Sequence, residues 1–342
     1  MKPLVSILIP AHNASEWIEQ TIQSAVTQTW KSKEIIVVDD GSSDDTLAIA
    51  RRFESHQVKV VSQLNRGASA ARNTAYSLCR GDYIQWLDAD DLLAPDKIAI
   101  QVKALRDTGS TRTLLSSAWG AFYYRKHKAK FCPTRLWDDL EPADWIRIKL
   151  QEGVFMQPGV FLVSRDLTDA AGPWDVRLWK DNDGEYFCRV VAASDGVRFI
   201  PGAATYYRQP GIGRVSYIGG SNKKLESLFL SSQLQISHLL SLDDSEQSRI
   251  ACRDLLQHYL GVFYPERLDL AEESRKLAMQ LGYELSAPRM SWKYMWLQRI
   301  FGLAYAKRIE LYYNRVKSNI FRFSDKAFFQ SENRKSICGQ VR

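Results

Sequence analysis

Residues 83–98 read YIQWLDADDLLAPDKI. Tyr83, Ile84, Trp86 and Leu87 form a short apolar run that predicts a buried strand. Asp88-Ala89-Asp90-Asp91 stops that run in a cluster of acids, and Pro95, favoured in a first helical turn, opens the helix that follows to about Arg106. The same unit recurs upstream. Leu4–Ile9 predicts a strand before a helix from Ser15 to about Thr29, and Glu34–Val38 a second strand before a helix over Asp44–Phe53. Val58–Ser62 predicts a third strand before a helix over Gly67–Cys79, whose small residues permit close packing. Strand and helix alternating at this spacing imply an α/β fold with a mostly parallel central sheet covered on both faces. In such sheets ligands bind beyond the carboxyl ends of the strands. Pro10–Asn13, Asp39–Ser42, Asn65–Gly67 and Asp88–Asp91 all fall there.

Beyond Thr113 the pattern is mixed, with strands near Leu114–Tyr124 and Val160–Val163 and a helix around Glu185–Ala193. A turn-rich stretch, Gly211–Asn222, precedes helical sequence over Leu225–Leu242, Ser245–Leu260 and Leu268–Leu281. These patterns divide the chain into an α/β domain over 1–215, with halves 1–110 and 111–215, a helical region over 216–286 and a tail over 287–342.

Of the 342 residues 45% are hydrophobic and 25% charged, an ordinary globular composition long enough to bury a core without staples. The five cysteines are scattered and form no C-x-x-C pair, which predicts reduced thiols in a cytoplasmic protein. No secretory signal and no apolar window long enough to span a bilayer is evident. The net charge of +7 sits in the tail, where Arg289–Arg342 holds twelve Lys or Arg against three acids. Ser291–Arg322 interleaves aromatic and apolar residues with basic ones, predicting an amphipathic helix interrupted near Gly302. Such a helix either lies on an anionic membrane surface, here the cytoplasmic face, or packs on the protein. No nucleic-acid module accompanies it.

Each acidic or basic cluster has a chemical and a structural reading. Asp88-x-Asp90 offers hard oxygen ligands to Mg²⁺ or Mn²⁺, although Asp91 could instead cap the next helix. Asp39 or Asp40 could accept hydrogen bonds from a nucleoside, while Ser43 or Asp44 caps. Gly67 lets backbone amides approach an anion, and Arg72 lies about one and a half turns on, as a ligand or a salt-bridge partner.

Taken in order, PAHN, VVDDGSSDDT, NRGASAARN and WLDADDLLAPDKI strongly resemble the motifs of the family 2 glycosyltransferases. The resemblance implies a GT-A type nucleotide-binding fold and an inverting enzyme moving sugar from a nucleotide diphosphate sugar, a UDP-sugar foremost, to a glycan or lipid-linked acceptor. It implies that Pro10, His12, Asn13, Asp39, Asp40, Gly67, Arg72, Asp88 and Ala89 line the nucleotide-sugar site. Asp90 with Asp88 would hold the metal. His12 stands where the family usually has tyrosine. The family's general base matches Asp183 in Asp181-Asn182-Asp183-Gly184-Glu185, with Asn182 replacing an acid; Asp181 and Glu185 are the other candidates, and plain helix capping is the structural reading. Trp174, in a G-x-W-D segment, and Trp179 are placed on the acceptor side. Arg208, in a Y-R pair, either neutralises the diphosphate or makes a structural salt bridge. A processive polymerase would need a Q-x-x-R-W motif, absent here, so single transfer is expected. The competing readings are a sugar nucleotidyltransferase, which wants a glycine-rich basic loop after the first strand, and a degenerate sugar-binding module.

Overall fold

A computed structural model describes residues 2–105, 110–209, 221–288 and 292–340. The chain runs β1 (Val5–Ala11), α1 (Ile18–Val26), β2 (Lys33–Asp40), α2 (Thr46–Arg51), β3 (Val58–Gln63), α3 (Ala68–Leu78) and β4 (Tyr83–Trp86). It continues with β5 (Leu92–Leu93), α4 (Lys97–Ala104), β6 (Thr113–Phe122), β7 (Lys130–Phe131), α5 (Pro142–Glu152), β8 (Val163–Ser164), α6 (Arg165–Ala171), α7 (Asn182–Ala193) and β9 (Gly196–Arg208). Four helices close it: α8 (Asn222–Leu242), α9 (Glu246–Phe263), α10 (Leu268–Gln280) and α11 (Met295–Gln340).

The first sheet has the order β3-β2-β1-β4-β8, with β1 to β4 mutually parallel and β8 antiparallel at the edge. Its central strands β1 and β2 are mostly apolar because both faces are covered, and every residue of β1 is buried. The order reverses beside β1, so the ends of β1, β2 and β4 open a crevice at the switch point. A second sheet, β5-β9-β6-β7, was not foreseen. Its β6 and β9 pair in parallel with a bulge between Ser117 and Ala118, and β5 brings the residues after the acid cluster onto β9.

Trp86, 1% exposed at the end of β4, joins the two halves. Its ring meets Trp174 edge-on at 5.3 Å and Tyr186 at 5.9 Å, while Trp174 and Tyr186 stack at 3.9 Å. Aromatic pairs in such geometries add about 0.5–1.5 kcal/mol each beyond their burial. Tyr186 lies on α7, so this cluster fixes the start of α7 relative to the end of β4.

The division at 215 falls outside the described residues. The helices beyond it share the main core: Ile236, Leu239, Leu255 and Leu256 pack in one cluster with Leu8, Trp86 and Trp145. Ser227 of α8 also accepts from the amides of Trp179 and Lys180 at 2.8 Å each. No described helix is long and apolar enough to cross a membrane. α11 breaks at Gly302, where φ is 78°, as the sequence predicts. Beyond the break it packs on the domain: Asp325 accepts from the Arg125 guanidinium at 2.7 Å, and Glu332 from the same group at 3.0 Å.

Candidate functional site

The crevice is built from strand register. Asp39 pairs with Ser62 and Asp40 with Gln63 across β2 and β3, and successive side chains leave opposite faces. Both acids are buried, yet their partners differ. Asp40 accepts from Gln63 Nε2 at 2.7 Å, from the Arg66 amide at 3.0 Å and from the Gly67 amide at 2.8 Å. Its carboxylate thus ties down the loop before α3. Asp39 accepts from Ser62 Oγ at 3.1 Å and weakly from the Ser42 amide, while its buried Oδ1 has no partner among the described residues. A buried carboxylate oxygen left unpaired is costly, so Asp39 is the acid poised to accept a ligand hydrogen bond. The register and not the sequence separates the two.

Around them, Pro10 is buried in β1, and His12 is exposed with Nδ1 2.9 Å from the Asp40 carbonyl oxygen. Asn65 Nδ2 lies 3.2 Å from each His12 ring nitrogen. Asn13 takes a left-handed φ of 48° and accepts from the Ser43 amide at 2.9 Å. Asp44 accepts from the Thr46 amide at 3.0 Å, which is the capping role expected for α2. Gly67, at φ 90°, stands in backbone space that a side chain rarely adopts. Its amide is taken by Asp40, and a Cβ there would meet the Trp179 ring at 3.5 Å.

Arg72 is 5% exposed and donates from Nη2 to Asp88 Oδ1 at 2.7 Å. Its guanidinium lies over Trp174, 4.2 Å from the ring centroid, while Nε and Nη1 have no partner among the described residues. Arg72 is therefore a buried, partly unsatisfied cation at the crevice, unlike the common surface arginine. Ala89 accepts from Thr21 Oγ1 at 2.9 Å, which pins the turn between the two acids. Asp88 and Asp90 are both partly exposed at this turn. Asp91 does not cap α4: it is fully buried and accepts from the Arg208 amide at 2.8 Å. Burial, and then the Asp88 charge, push its pKa well above the usual carboxylate range.

Two expectations for the acceptor or diphosphate side need correction. Trp174 is 2% exposed and belongs to the core beneath Arg72, so it supports the cation and offers no face to an acceptor. Arg208 is likewise 2% exposed, and donates to the Asp90 carbonyl at 2.8 Å, the Tyr123 carbonyl at 3.1 Å and Gln20 Oε1 at 2.9 Å. It sits between Trp17 and Phe122, and burial pulls its pKa down to about 10 against the opposing charge of Asp91. Its guanidinium braces the acid turn from behind. Trp179 remains partly exposed, with Lys223 Nζ 3.3 Å over its ring.

At the start of α7, the three acids have distinct surroundings. Glu185 is 2% exposed and paired with Arg189 at 2.6 Å and His238 at 3.1 Å. Burial alone would raise its pKa, but those hydrogen bonds outweigh it and hold the group low. Asp181 has a left-handed φ of 56° and accepts from Ser231 at 2.8 Å and Gln235 at 2.6 Å. A Cβ on Gly184 would collide with that carboxylate, which explains the glycine. Glu185 thus has both carboxylate oxygens engaged, and Asp181 has one. Among the described residues Asp183 accepts from the Gly184 amide alone, at 3.0 Å. Its pKa is raised, first by burial and then by Asp181, with Arg72 and Lys180 pulling it back. The charges of Arg72 and Asp88 both act on it. Asn182, where the family has an acid, donates to Ser69 Oγ at 3.3 Å and accepts from the Asp183 amide at 2.9 Å, locking α7 to α3.

The sequence missed an aromatic group beside these residues. Trp119, Phe155 and Tyr207 meet pairwise at 5.4–5.9 Å. Tyr207 is pushed upward by burial and by Asp91, Asp183 and Asp88, so the group borders both acid clusters. The partial Y-R match at Tyr207-Arg208 was the available signal.

Comparison with known proteins agrees with this architecture. S. aureus TarS 1–349, solved with UDP, superposes with a TM-score of 0.59 at 18% identity, covering 83% of this chain and 86% of that one. The shared architecture is the GT-A fold. Escherichia coli chondroitin synthase is 46% identical over 106 residues, which are 30% of this chain and 16% of that protein. The Escherichia coli UDP-Glc:alpha-D-GlcNAc-diphosphoundecaprenol beta-1,3-glucosyltransferase WfaP is 41% identical over 100 residues, 29% of this chain and 40% of that one. The chain thus matches well under half the length of each of these curated relatives. Residues 6–167, which carry nearly all of β1 to β4 and every acid of the crevice except Asp183, match the family model described as Glycosyl transferase family 2, and that part of the chain belongs to the family.

Proposed function

We propose that the chain is an inverting glycosyltransferase that moves a sugar from a nucleoside diphosphate sugar, a UDP-sugar, to a hydroxyl of a glycan or lipid-linked acceptor. The observation that carries this reading is the convergence of three unlike groups on one crevice. These are the buried unpaired oxygen of Asp39, the Arg72–Asp88 pair and the half-buried Asp183. The similarity to WfaP, a UDP-Glc:alpha-D-GlcNAc-diphosphoundecaprenol glucosyltransferase, and to TarS, solved with UDP, supports this choice of substrate classes.

Asp39 Oδ1 accepts from the nucleoside, and His12 and Asn13 border the same end. Arg72 presents its two unpaired nitrogens to the anionic donor. The donor set at the acid turn fits a hard divalent cation, Mn²⁺ or Mg²⁺. Asp88 and Asp90 supply carboxylate oxygens in a partly open place, and such ions keep several waters or phosphate oxygens as ligands. Among the described residues no three His, Cys, Asp or Glu side chains group to enclose a metal, which suits a site completed by substrate. When bound, the ion neutralises charge gathering on the departing diphosphate. Asp183 takes the proton of the acceptor hydroxyl as its oxygen attacks the anomeric carbon. The bond from that carbon to the diphosphate breaks on the opposite face, and the leaving group keeps the electron pair. A raised pKa suits a carboxylate to this proton transfer near neutral pH.

A second reading concerns the tail. Tyr305, Tyr312, Val316, Ile320 and Phe323 lie on one face of α11 and are 36–76% exposed. Lys293, Arg299 and Lys317 are exposed nearby. Asp325 and Glu332 hold the opposite side of the helix to Arg125, so packing on the domain and display of an apolar face coexist. We assign that face to an anionic membrane surface, where acceptors built on lipid reside.

The test is donor hydrolysis by the full chain with UDP-glucose, UDP-N-acetylglucosamine and GDP-mannose, each with and without Mn²⁺. Turnover of a UDP-sugar that vanishes in Asp183→Asn while UDP binding persists is expected. Absence of binding to any nucleotide sugar would overturn the reading.

A further inference from the structure

The turn that follows β6 stands between α11 and the acid turn, and one of its peptide units serves both. The Tyr123–Tyr124 peptide donates its N–H to Asp325 Oδ2 at 2.9 Å, and its carbonyl accepts from Arg208 Nη1 at 3.1 Å. Arg208 in turn donates from Nε to the Asp90 carbonyl and from its amide to Asp91, at 2.8 Å each. One line of hydrogen bonds therefore runs from a carboxylate on α11, through a peptide dipole and a guanidinium, to the backbone of the acid turn. Ring packing follows the same course. Phe329 of α11 lies 6.0 Å from Tyr124, Tyr124 lies 5.2 Å from Trp17, and the Arg208 guanidinium sits 4.0 Å over Trp17.

The ionic contacts of α11 on this side are not equivalent. Lys326 reaches Glu16 at 3.6 Å and Glu332 reaches Arg125 at 3.0 Å, and the side chains of Lys326, Glu16 and Glu332 are about half exposed. Exposed pairs of this kind contribute little. Asp325 is largely buried and uses both carboxylate oxygens, Oδ1 for the Arg125 guanidinium at 2.7 Å and Oδ2 for the Tyr124 amide. Hydrogen bonds to an ionised group are the stronger ones, and bonds in series polarise one another where water is excluded. A negative charge at the N–H end of a peptide makes its carbonyl a better acceptor for the cation at the other end.

We propose that Asp325 is a positioning residue for the acid turn: it sets the Tyr123–Tyr124 peptide, the peptide sets Arg208, and Arg208 sets where Asp90 presents its carboxylate. The tail helix thus acts on the donor site from behind, with its outer face left to lipid. The inference rests on the reading of Asp88 and Asp90 as metal ligands and adds a residue outside the crevice that tunes them.

The experiment uses the full chain and reads Mn²⁺ affinity under saturating UDP by EPR, UDP affinity without metal by calorimetry, and deuterium exchange of the Tyr124 amide by NMR. Asp325→Asn keeps the shape but offers one oxygen where two are used, so either Tyr124 or Arg125 loses its acceptor. It should weaken Mn²⁺ by about fivefold or more, the lower edge of coupling between distinct sites, and leave metal-free UDP affinity unchanged. Glu332→Gln cuts the exposed arm of the same latch and should bind both ligands as wild type does. By reciprocity, Mn²⁺ with UDP should slow exchange of the Tyr124 amide in wild type by about fivefold or more. Three outcomes overturn the proposal: Asp325→Asn binds Mn²⁺ as wild type does, Glu332→Gln weakens it equally, or metal-free UDP affinity falls by the same factor. The last two would reduce α11 to general support of the fold. If Asp325→Asn does not fold, wild-type exchange decides, and a Tyr124 amide indifferent to Mn²⁺ with UDP overturns the proposal. A wild type that binds no Mn²⁺ counts against the metal reading instead. The bridge is then judged by Arg208→Met, which should speed Tyr124 exchange at least about tenfold relative to the amides of β1, and an unchanged rate overturns it.

Discussion

Arg72 Nη2 lies 2.7 Å from Asp88 Oδ1, and the pair rests on Trp174. The contact holds one carboxylate oxygen of Asp88 and leaves the other free to turn toward a cation. It also neutralises a buried guanidinium that would otherwise face the crevice alone. Replacing Arg72 by Met removes both functions. UDP-sugar affinity should fall about 10–100-fold, the scale of a lost charge-assisted contact of about 1.5–3 kcal/mol. Lys in its place restores the charge and not the stacked fork, and should recover less than half of the lost binding energy. Calorimetric titration of UDP into both variants checks this, and equal recovery by Lys would refute the stacked geometry.

Asp39 and Asp40 are adjacent, and their substitutions should separate cleanly. Asp40 holds two loop amides and a side-chain amide, so Asp40→Ala should cost stability by about 1.5–3 kcal/mol or more. Asp39→Asn keeps the shape of the strand end and alters the one oxygen without a partner. It should leave the melting temperature nearly unchanged and weaken UDP by about tenfold. Thermal melts paired with UDP titration decide. A melting loss in Asp39→Asn as large as in Asp40→Ala would remove the distinction.

That pair shows what was legible in the sequence and what was not. Apolar runs ending in Asp39-Asp40 and Asp88-Ala89-Asp90 fixed the four parallel strands and the crevice at their ends, because periodicity and turn chemistry are local. Which acid faces a ligand depends on pairing across β3, a contact with Ser62 and Gln63 that no local pattern carries. Of the second sheet only β6 was legible: β9 carries Pro201, Gly202 and a bulge that break its alternation, and β5 and β7 have two residues each. Trp174 and Arg208 were misplaced for a related reason. Motif position told that they lie near the site, while their burial comes from Tyr186, Trp17 and Phe122, distant in sequence.

Asp183 has a pKa raised by burial and by Asp181, which makes two linked predictions. As the base it must be ionised, so transfer should rise with pH through a value above the ordinary carboxylate range. In the stability, a raised carboxyl pKa means the native state binds the proton more tightly than the unfolded chain. That contribution is full below the unfolded pKa and is lost as pH climbs through the folded one. Asp183→Asn should therefore lose transfer by about 10²–10⁴-fold. It should melt no lower than wild type at neutral pH, with the advantage vanishing in acid. A pH profile of transfer beside melts at acid and neutral pH tests both. An Asn variant that melts lower than wild type at neutral pH, though equally folded, would show that the acid is stabilising and not strained.

The acid turn makes a prediction about metal. Asp90→Ala removes one of two carboxylates, and Asp88 remains tied to Arg72. Mn²⁺ affinity in the presence of UDP should fall by about tenfold or more, and chelation should abolish turnover in wild type. Arg208 braces the same turn through the Asp90 carbonyl and the Asp91 carboxylate. Arg208→Met should therefore act on stability first, removing the side-chain donor to the Asp90 carbonyl while the backbone amide still serves Asp91. UDP binding that is unchanged by chelator and by Asp90→Ala alike would exclude a metal clamp.

The tail prediction turns on the two sides of α11. Asp325 and Glu332 clamp Arg125, and Phe329 packs 6.0 Å from Tyr124, so one side is held by the domain. Phe323 and Ile320, 76% and 63% exposed, sit on the side that is not. If that face meets lipid, the full chain should sediment with vesicles containing phosphatidylserine and leave pure phosphatidylcholine in solution. Raising salt from about 0.1 M to about 1 M, which shortens the screening length from ~10 Å to ~3 Å, should weaken the anionic component. Ile320→Glu with Phe323→Glu should release the protein from vesicles while UDP-sugar hydrolysis continues, because neither residue approaches the crevice. Equal binding to both vesicle types would assign the attraction to apolar contact alone, and no binding to either would return the face to a protein partner.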